Sequence, residues 1–335
     1  MRILLLTQWK PARGGVVTHV EQVIKRLPHE FIIITYPRLP KIPLLRATSF
    51  LFSGFFRALR YRDCDIIHAH YAVPQGLLGA LLSRVLRLPL VVTVHGSDLL
   101  RLAKHPAGRV LVRFVLNEAD AVVAVSSFLK QRAMELGVNT GKLRVIYGGV
   151  ELPEKVHRHR GQRVLFVGSL VRHKGVDVLL RAFRIVKQRL PETELIIVGD
   201  GRDRQKLEEL CRALELRDVR FEGEQCELSG YYSSSRVLAL PSRTEGFGLA
   251  ALEAMAHSLP VVAARVGGIP EVVVHRETGI LVERNNPEAL AEALAEVLTD
   301  DALWGRLSSQ ARRQASGFSW ERTAQRYAEL YEELV

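Results

Sequence analysis

A chain of 335 residues is long enough for two domains of ordinary size, each with its own core. With 47% apolar and 25% charged residues it has the composition of a globular protein, and no apolar run approaches the ~18 residues of a membrane span. The net charge of +11 is uneven: residues 1–150 hold 21 Lys and Arg against 8 Asp and Glu, and residues 151–335 hold 26 against 28. The basic first half has two readings: a solvated arginine-rich surface, or an anionic partner such as phosphates, nucleic acid or an anionic membrane. Cys64, Cys211 and Cys226 lie far apart with no CxxC spacing, which argues against a disulfide framework or structural zinc and fits a reducing cytoplasm.

In chain order, MRILLLTQWK has one basic residue before a very short apolar run and reads as a first strand, Arg2–Thr7, not a signal peptide. The following TQWKPARGGVVTHV places Gly14 and Gly15 where backbone amides meet a ligand at the start of a helix. It is not a GxGxxG motif, which counts against a nicotinamide cofactor. Further strands are expected at Phe31–Tyr36, Asp65–His70, Leu90–His95, Ala121–Val125 and Leu143–Tyr147. Between the second and third strands, Leu44–Arg62 reads as a helix with two unlike faces. Arg46, Ser49, Ser53, Arg57 and Arg60 line one face, and Leu44, Leu51, Phe52, Phe55 and Leu59 the other, with Phe50 and Phe56 near the edges. Such a helix either buries its aromatic face on its own sheet or lies in an anionic membrane surface.

His95 ends a strand in VVTVHGSDL, with Gly96 and Asp98 in the turn. HAH at His68–His70 invites a metal reading with His95, but no carboxylate cluster lies near it in sequence. The polar stretch Glu151–Arg163 carries Pro153, lacks apolar periodicity and reads as a linker.

A second strand series follows at Arg163–Val167, Glu194–Val198, Val219–Glu222, Val237–Leu240, Val261–Ala264 and Gly279–Val282. Helical spacing marks Val176–Gln188 and Glu288–Thr299. Two strand–helix–strand series in tandem imply two doubly wound parallel sheets, with ligands beyond the carboxyl ends of the strands. In VLFVGSLVRHKGVDVLLRAF, Arg172 and Lys174 sit in such a turn, either as solvated loop cations or as groups that meet a diphosphate. The longest motif is PSRTEGFGLAALEAMAHSLPVVAARVGGIPE, Pro241–Glu271. Its Gly246 and Gly248 lead into a helix over Leu249–His257, so amides at the helix start can hold an anion or hydroxyl. Glu245 precedes that helix and Glu253 follows eight residues later, about 12 Å along a helical rise. Two carboxylates so far apart cannot share a proton or a metal. They can grip two ends of one extended ligand that offers paired hydroxyls, or simply be two exposed helix glutamates.

This segment resembles the E-x7-E signature of retaining glycosyltransferases with the GT-B fold, family 4 of that classification: PS before it, EGFG at its start, LEAMA within it, LPVVA and GGIPE after it. The resemblance covers nearly the whole chain and is weakest over Pro37–Arg62. It implies an α/β GT-B protein of two Rossmann-like domains facing across a cleft. The expected bounds are 1–155 for the acceptor-side domain, 156–317 for the donor domain, and 318–335 for a last helix returning to the first domain. It implies that Glu253 holds the donor ribose, that Glu245 binds the transferred sugar, and that the amides of Gly246, Phe247, Gly248 and Leu249 lie at the sugar and diphosphate. Lys174 binds the diphosphate. Ser169 stands where many members have arginine, and Arg172 is expected to take over that role. Gly14 and Gly15 lie near the diphosphate and acceptor, and His95 beside the transferred sugar. Ser258 replaces a usual glycine before LPVVA and is expected to alter only a turn.

The activity so implied is transfer of a sugar from a nucleotide-diphosphate donor to an acceptor hydroxyl, with retention of configuration and no metal or cofactor. A glycan or lipid-linked acceptor is expected, at a cytoplasmic site, peripheral on the inner face of a membrane if Leu44–Arg62 docks there. Two rivals remain: another GT-B enzyme such as a nucleotide-sugar epimerase or a phosphorylase, and a catalytically dead sugar- or nucleic-acid-binding protein. No recognisable pyridoxal-lysine site supports a phosphorylase, and no aromatic-interleaved basic motif supports RNA binding.

Overall fold

The computed structural model describes residues 1–8, 14–35, 43–154 and 161–335, and of 43–46 the backbone alone. The loop stretch 9–13, the linker stretch 155–160 and the faces assigned to Leu44 and Arg46 lie outside the described residues. The chain divides into two compact units, Met1–Gly149 with Trp320–Val335, and Val150–Ser319. The second unit closes on itself where Val150 N–H donates to the Phe318 carbonyl (2.9 Å).

The first unit contains β1 (Arg2–Leu6), α1 (Gly15–Ile24), β2 (Glu30–Ile34), α2 (Pro43–Ala58), β3 (Ile66–His70) and α3 (Leu77–Leu86). It continues with β4 (Leu90–Val94), α4 (Ser97–Leu100), α5 (Pro106–Glu118), β5 (Ala121–Ala124), α6 (Ser127–Glu135) and β6 (Leu143–Val145). The second unit contains β7 (Arg163–Val167), α7 (Val176–Arg189), β8 (Glu194–Val198), α8 (Arg204–Ala213), β9 (Val219–Gly223), α9 (Ser229–Ser234) and β10 (Val237–Leu240). It ends with α10 (Leu249–Ala256), β11 (Val261–Ala264), α11 (Ile269–Val272), β12 (Gly279–Val282), α12 (Pro287–Thr299) and α13 (Asp301–Ala315). The last helix, α14 (Trp320–Leu334), belongs to the first unit.

Both sheets have six parallel strands, ordered β2-β1-β3-β4-β5-β6 and β12-β11-β10-β7-β8-β9. All twelve strands fall within two residues of the bounds expected from the apolar runs. These runs are legible because a parallel sheet covered on both faces needs side chains that are apolar on both sides. Thus β1, β4, β5, β10 and β11 are buried almost end to end. In the second sheet the strand order reverses direction between β7 and β10, and in the first between β1 and β3. In such sheets the crevice for a ligand opens at the carboxyl ends of the strands flanking that reversal.

The α2 helix forms as expected but buries a different stripe. Phe50, Gly54 and Ala58, four residues apart, face the interior, while Phe52 and Phe56 are exposed. The reason is close packing: a Cβ on Gly54 would lie 2.8 Å from the Leu78 side chain on α3, so the small residue must face in.

Candidate functional site

In the second unit the turn after β7 and the loop after β10, the two strands that flank the reversal, are clamped together. The Arg243 guanidinium grips the Asp177 carboxylate with two bonds of 2.8 Å each, and its Nη1 also donates to the Arg172 carbonyl (2.7 Å). The Arg243 N–H donates to the His173 carbonyl (2.7 Å). Gly175 closes the turn at φ +72°, and any Cβ there would sit 2.0 Å from the Pro241 carbonyl oxygen. The backbone approach therefore requires glycine at this position. Burial alone would push the Asp177 carboxyl up, but the bonds and charge of Arg243 outweigh it and hold it below the usual carboxylate range.

On this clamp Lys174 Nζ donates to Glu245 Oε2 at 2.7 Å, both side chains being about four-fifths covered. Ser242 Oγ donates to the same oxygen at 3.3 Å. The two residues to which the sequence assigns separate tasks are thus in direct contact. Downstream, Gly246 and Phe247 are buried, and Gly248 caps α10 at φ +103°. The first amides of α10 therefore point out of the helix at the same strand ends as Lys174. Arg172 and Ser169 are exposed, on the short turn Arg172–Lys174 and just after β7.

Glu253 lies on the second turn of α10 and is half-buried. Its Oε2 accepts a 2.7 Å hydrogen bond from the Tyr232 hydroxyl on α9. Burial raises the Glu253 carboxyl, and the Tyr232 bond opposes that shift. The Tyr232 hydroxyl is itself driven well above its ordinary range by burial and by the Glu253 charge. Ser258 adopts φ +56° directly after α10, the left-handed conformation that ends many helices. The usual glycine of the family is explained by that dihedral, and the departure does leave a turn.

In the first unit, Gly14 caps α1 at φ +115° with open space where a side chain would be, and Gly15 begins the helix. His95 follows β4 and is half-buried; its Nε2 shares a 2.9 Å hydrogen bond with His70 Nδ1 at the end of β3. Behind this pair lies a buried aromatic network. His68 Nδ1 is 2.7 Å from the Tyr331 hydroxyl, and its Nε2 is 2.8 Å from Thr93 Oγ1. His19 Nε2 and Thr93 Oγ1 are each 3.1 Å from the Tyr327 hydroxyl. The His19 ring stands edge-on to His95 (5.3 Å) and to Trp320 (5.5 Å). Burial disfavours the imidazolium: His19 is lowered to about 4, His68 to about 3, and His70 and His95 well below the ordinary histidine value. Burial thus favours the neutral form of both HAH histidines, and their tasks differ: His68 bonds Tyr331 on α14, while His70 bonds His95. Among the described residues no cluster of three His, Cys, Asp or Glu side chains is arranged to hold a metal ion.

Asp98, in the turn after His95, is buried and accepts from the N–H groups of Gly96 (3.0 Å), Leu99 (3.2 Å) and Ala72 (3.3 Å). Burial raises its carboxyl despite these bonds. It fixes the loop that carries His95. Sequence reasoning did not single out Tyr232, Asp177 and Arg243, or Thr93, His19 and the Tyr327–Tyr331 pair as site groups. Asp177 in the first turn of α7 and Arg243 inside the PSRTEG words offered a signal. Tyr232, twenty-one residues before its partner, offered none.

A solved Anabaena protein, Alr3699/HepE in complex with UDP and glucose, superposes with a TM-score of 0.86 over 99% of both chains at 22% identity. The tandem six-stranded sheets are those of a GT-B glycosyltransferase fold. Residues 151–314 match the family model for glycosyl transferases group 1, and residues 13–154 match that for glycosyltransferase family 4. MJ1178 of Methanocaldococcus jannaschii, an uncharacterized glycosyltransferase, is 33% identical over 100% of this chain and 99% of its own. The D-inositol 3-phosphate glycosyltransferase of Corynebacterium diphtheriae is 33% identical over 96% of this chain and 83% of its own. The chain belongs to the group 1 glycosyltransferases.

Proposed function

We propose that this transferase moves a sugar from a nucleotide-diphosphate donor to an acceptor hydroxyl, with retention at the anomeric carbon and without a metal ion. The observation that carries the reading is the 2.7 Å Lys174–Glu245 contact at the strand-order reversal of the second sheet, beside the start of α10. A cation, helix-start amides and a carboxylate at one place suit the three parts of such a donor: diphosphate, leaving oxygen and sugar hydroxyls. The Anabaena relative's solved complex with UDP and glucose supports the donor class.

Lys174, Arg172 and the amides of Gly246, Phe247, Gly248 and Leu249 take the charge that develops on the departing diphosphate, and the exposed Ser169, just after β7, is assigned to the same donor. Positively charged and amide donors do there what a divalent cation does in other transferases. Glu245 accepts from hydroxyls of the transferred sugar, and Glu253, oriented by Tyr232, accepts from the ribose. The amides of Gly14 and Gly15 are assigned to the diphosphate and acceptor, and His95 to a hydroxyl of the transferred sugar. The bond from the anomeric carbon to the phosphate oxygen breaks, the bond to the acceptor oxygen forms on the same face, and the acceptor proton passes to the leaving phosphate. No side-chain general base is assigned.

We assign the acceptor to lipid-linked or cell-envelope glycans, on the strength of the basic first half of the chain. The test is incubation of the full chain with a panel of nucleotide-diphosphate sugars, first without and then with glycolipid acceptors, with products read by NMR. One donor should be hydrolysed slowly and then transferred with its anomeric configuration kept. Inverted product overturns retention, and an isomerised nucleotide sugar points to an epimerase.

A further inference from the structure

The first unit carries a surface that the transfer reaction does not use. The crossovers β2 to β3, β3 to β4 and β4 to β5 all step the same way across the sheet, whereas β1 to β2 steps the opposite way. Crossovers between parallel strands are right-handed, so α2, α3 and α5 share one face of the sheet and α1 lies on the other, where it packs with α14. α2 packs on α3, and α3 on α5.

Each of these three helices turns an exposed apolar pair, four residues apart, toward water: Phe52 and Phe56 on α2, Leu81 and Val85 on α3, Val110 and Phe114 on α5. Phe52 and Val110 are 71% and 70% exposed, well beyond what a helix needs to seat itself on its sheet. The Phe52 and Phe56 rings pack edge-to-face with centroids 4.9 Å apart. The Arg84 guanidinium lies 5.7 Å over the Phe114 ring and bonds Glu118, so the outer faces of α3 and α5 are continuous. On these helices or next to them in sequence, Arg57, Arg60, Arg62, Arg84, Arg87, Arg101, Lys104, Arg109 and Arg113 are exposed. Against these nine cations the stretches 47–62, 77–87 and 101–118 hold one acidic residue, Glu118, already paired with Arg84.

We propose that this three-helix face docks on an anionic lipid surface, with the phenylalanine, leucine and valine pairs entering the headgroup layer and the arginines meeting lipid phosphates. Scattered exposed apolar residues are ordinary, but exposed pairs on three adjacent helices, in stretches of chain rich in exposed cations, are what interfacial binding requires. A second copy of the chain would set nine cations against nine, which like-charge repulsion opposes. A nucleic acid would satisfy the cations and leave the aliphatic pairs unused. None of the six apolar residues belongs to the transfer machinery, so failure of docking would leave the assigned transfer reaction standing and remove only the support for a lipid-linked acceptor. No helix among the described residues is long and apolar enough to cross a membrane, so the contact is peripheral.

The experiment is co-sedimentation of the full chain with vesicles of phosphatidylglycerol and phosphatidylcholine in equal parts, and with vesicles of phosphatidylcholine alone. Binding should appear with the anionic vesicles at low salt, be at least tenfold weaker with the neutral ones, and fall in high salt. Arg60→Gln with Arg109→Gln should weaken it by up to roughly fivefold per residue. Phe52→Ser with Phe56→Ser, and separately Val110→Ser with Phe114→Ser, should each lower it about tenfold while circular dichroism stays unchanged. Absence of binding to anionic vesicles at low salt, equal binding to both vesicle types, or serine variants that bind like the parent would each overturn the proposal. So would a concentration-dependent dimer in sedimentation that the Phe52→Ser/Phe56→Ser variant abolishes, which would assign the face to a second copy.

Discussion

The two units share one architecture, six parallel strands with a single reversal of strand order, yet they furnish their strand ends with opposite chemistry. The second unit builds its candidate site from partly covered ion pairs, Lys174 with Glu245 and Arg243 with Asp177. The first surrounds its candidate residue, His95, with histidines and tyrosines whose neutral forms burial favours, α14 supplying the tyrosines. Ion pairs within reach of water can exchange a partner for a charged ligand at low cost, since neither charge is stranded in an apolar interior. A buried neutral network cannot take up charge without losing the packing that neutralises it. Chain topology therefore fixes where a site falls, and burial decides what charge it can carry.

Acid should break this contrast most strongly. His19 and His68 ionise near pH 6.5 when unfolded but are lowered to about 4 and about 3 when folded. Between these values the unfolded state binds more protons, so the stabilisation is complete above pH 6.5 and is lost as pH falls toward the folded values. By pH 5 each costs about 2 kcal/mol, whereas Asp98, raised by burial, shifts the balance slightly the other way. Hydrogen exchange, corrected for its intrinsic pH dependence, should show protection of β3 and β4 collapsing from pH 7 to pH 5, while β7 and β10 change little. Equal loss in both sheets would remove the distinction.

Lys174→Met should lower kcat by about 100- to 1000-fold, the usual loss when one donor to a developing oxyanion is removed. Thermal unfolding of the variant serves as a control for folding. A kcat within threefold of the parent would place the diphosphate elsewhere. Glu253→Ala should weaken donor binding by about 1.5–3 kcal/mol, roughly ten- to 150-fold. Tyr232→Phe, which removes only the hydroxyl that orients Glu253, should weaken it less. Calorimetric titration of the donor checks both, and an unchanged dissociation constant for Glu253→Ala would remove it from the site. The smallest effect is expected outside the site: Ser258→Gly should raise stability by about 1 kcal/mol, because Ser258 holds φ +56° at the end of α10. Chemical denaturation reads the change directly.

The sheets were legible because parallel strands covered on both faces are mostly apolar runs, interrupted at few positions such as His68 in β3, Arg144 in β6 and Arg220 in β9, so twelve runs gave twelve strands. The Pro241–Glu271 segment was legible because turn glycines, a helix start and two carboxylates lie within one stretch of chain. What stayed hidden joins residues distant in sequence. Tyr232 reaches Glu253 across twenty-one positions, and His68 meets Tyr331 across 263. Periodicity also left open which stripe of α2 is buried. It weighs every phenylalanine alike, whereas a close helix crossing selects the small Gly54 and leaves Phe52 outside.

Everything assigned to the second unit assumes that Lys174, Arg172 and the amides at the start of α10 supply the positive charge a leaving diphosphate needs. Turnover of the preferred nucleotide-diphosphate sugar, measured in EDTA and again in excess magnesium or manganese, tests this most directly. Equal rates under all conditions are predicted. Turnover abolished by chelator and restored by either metal would contradict the account.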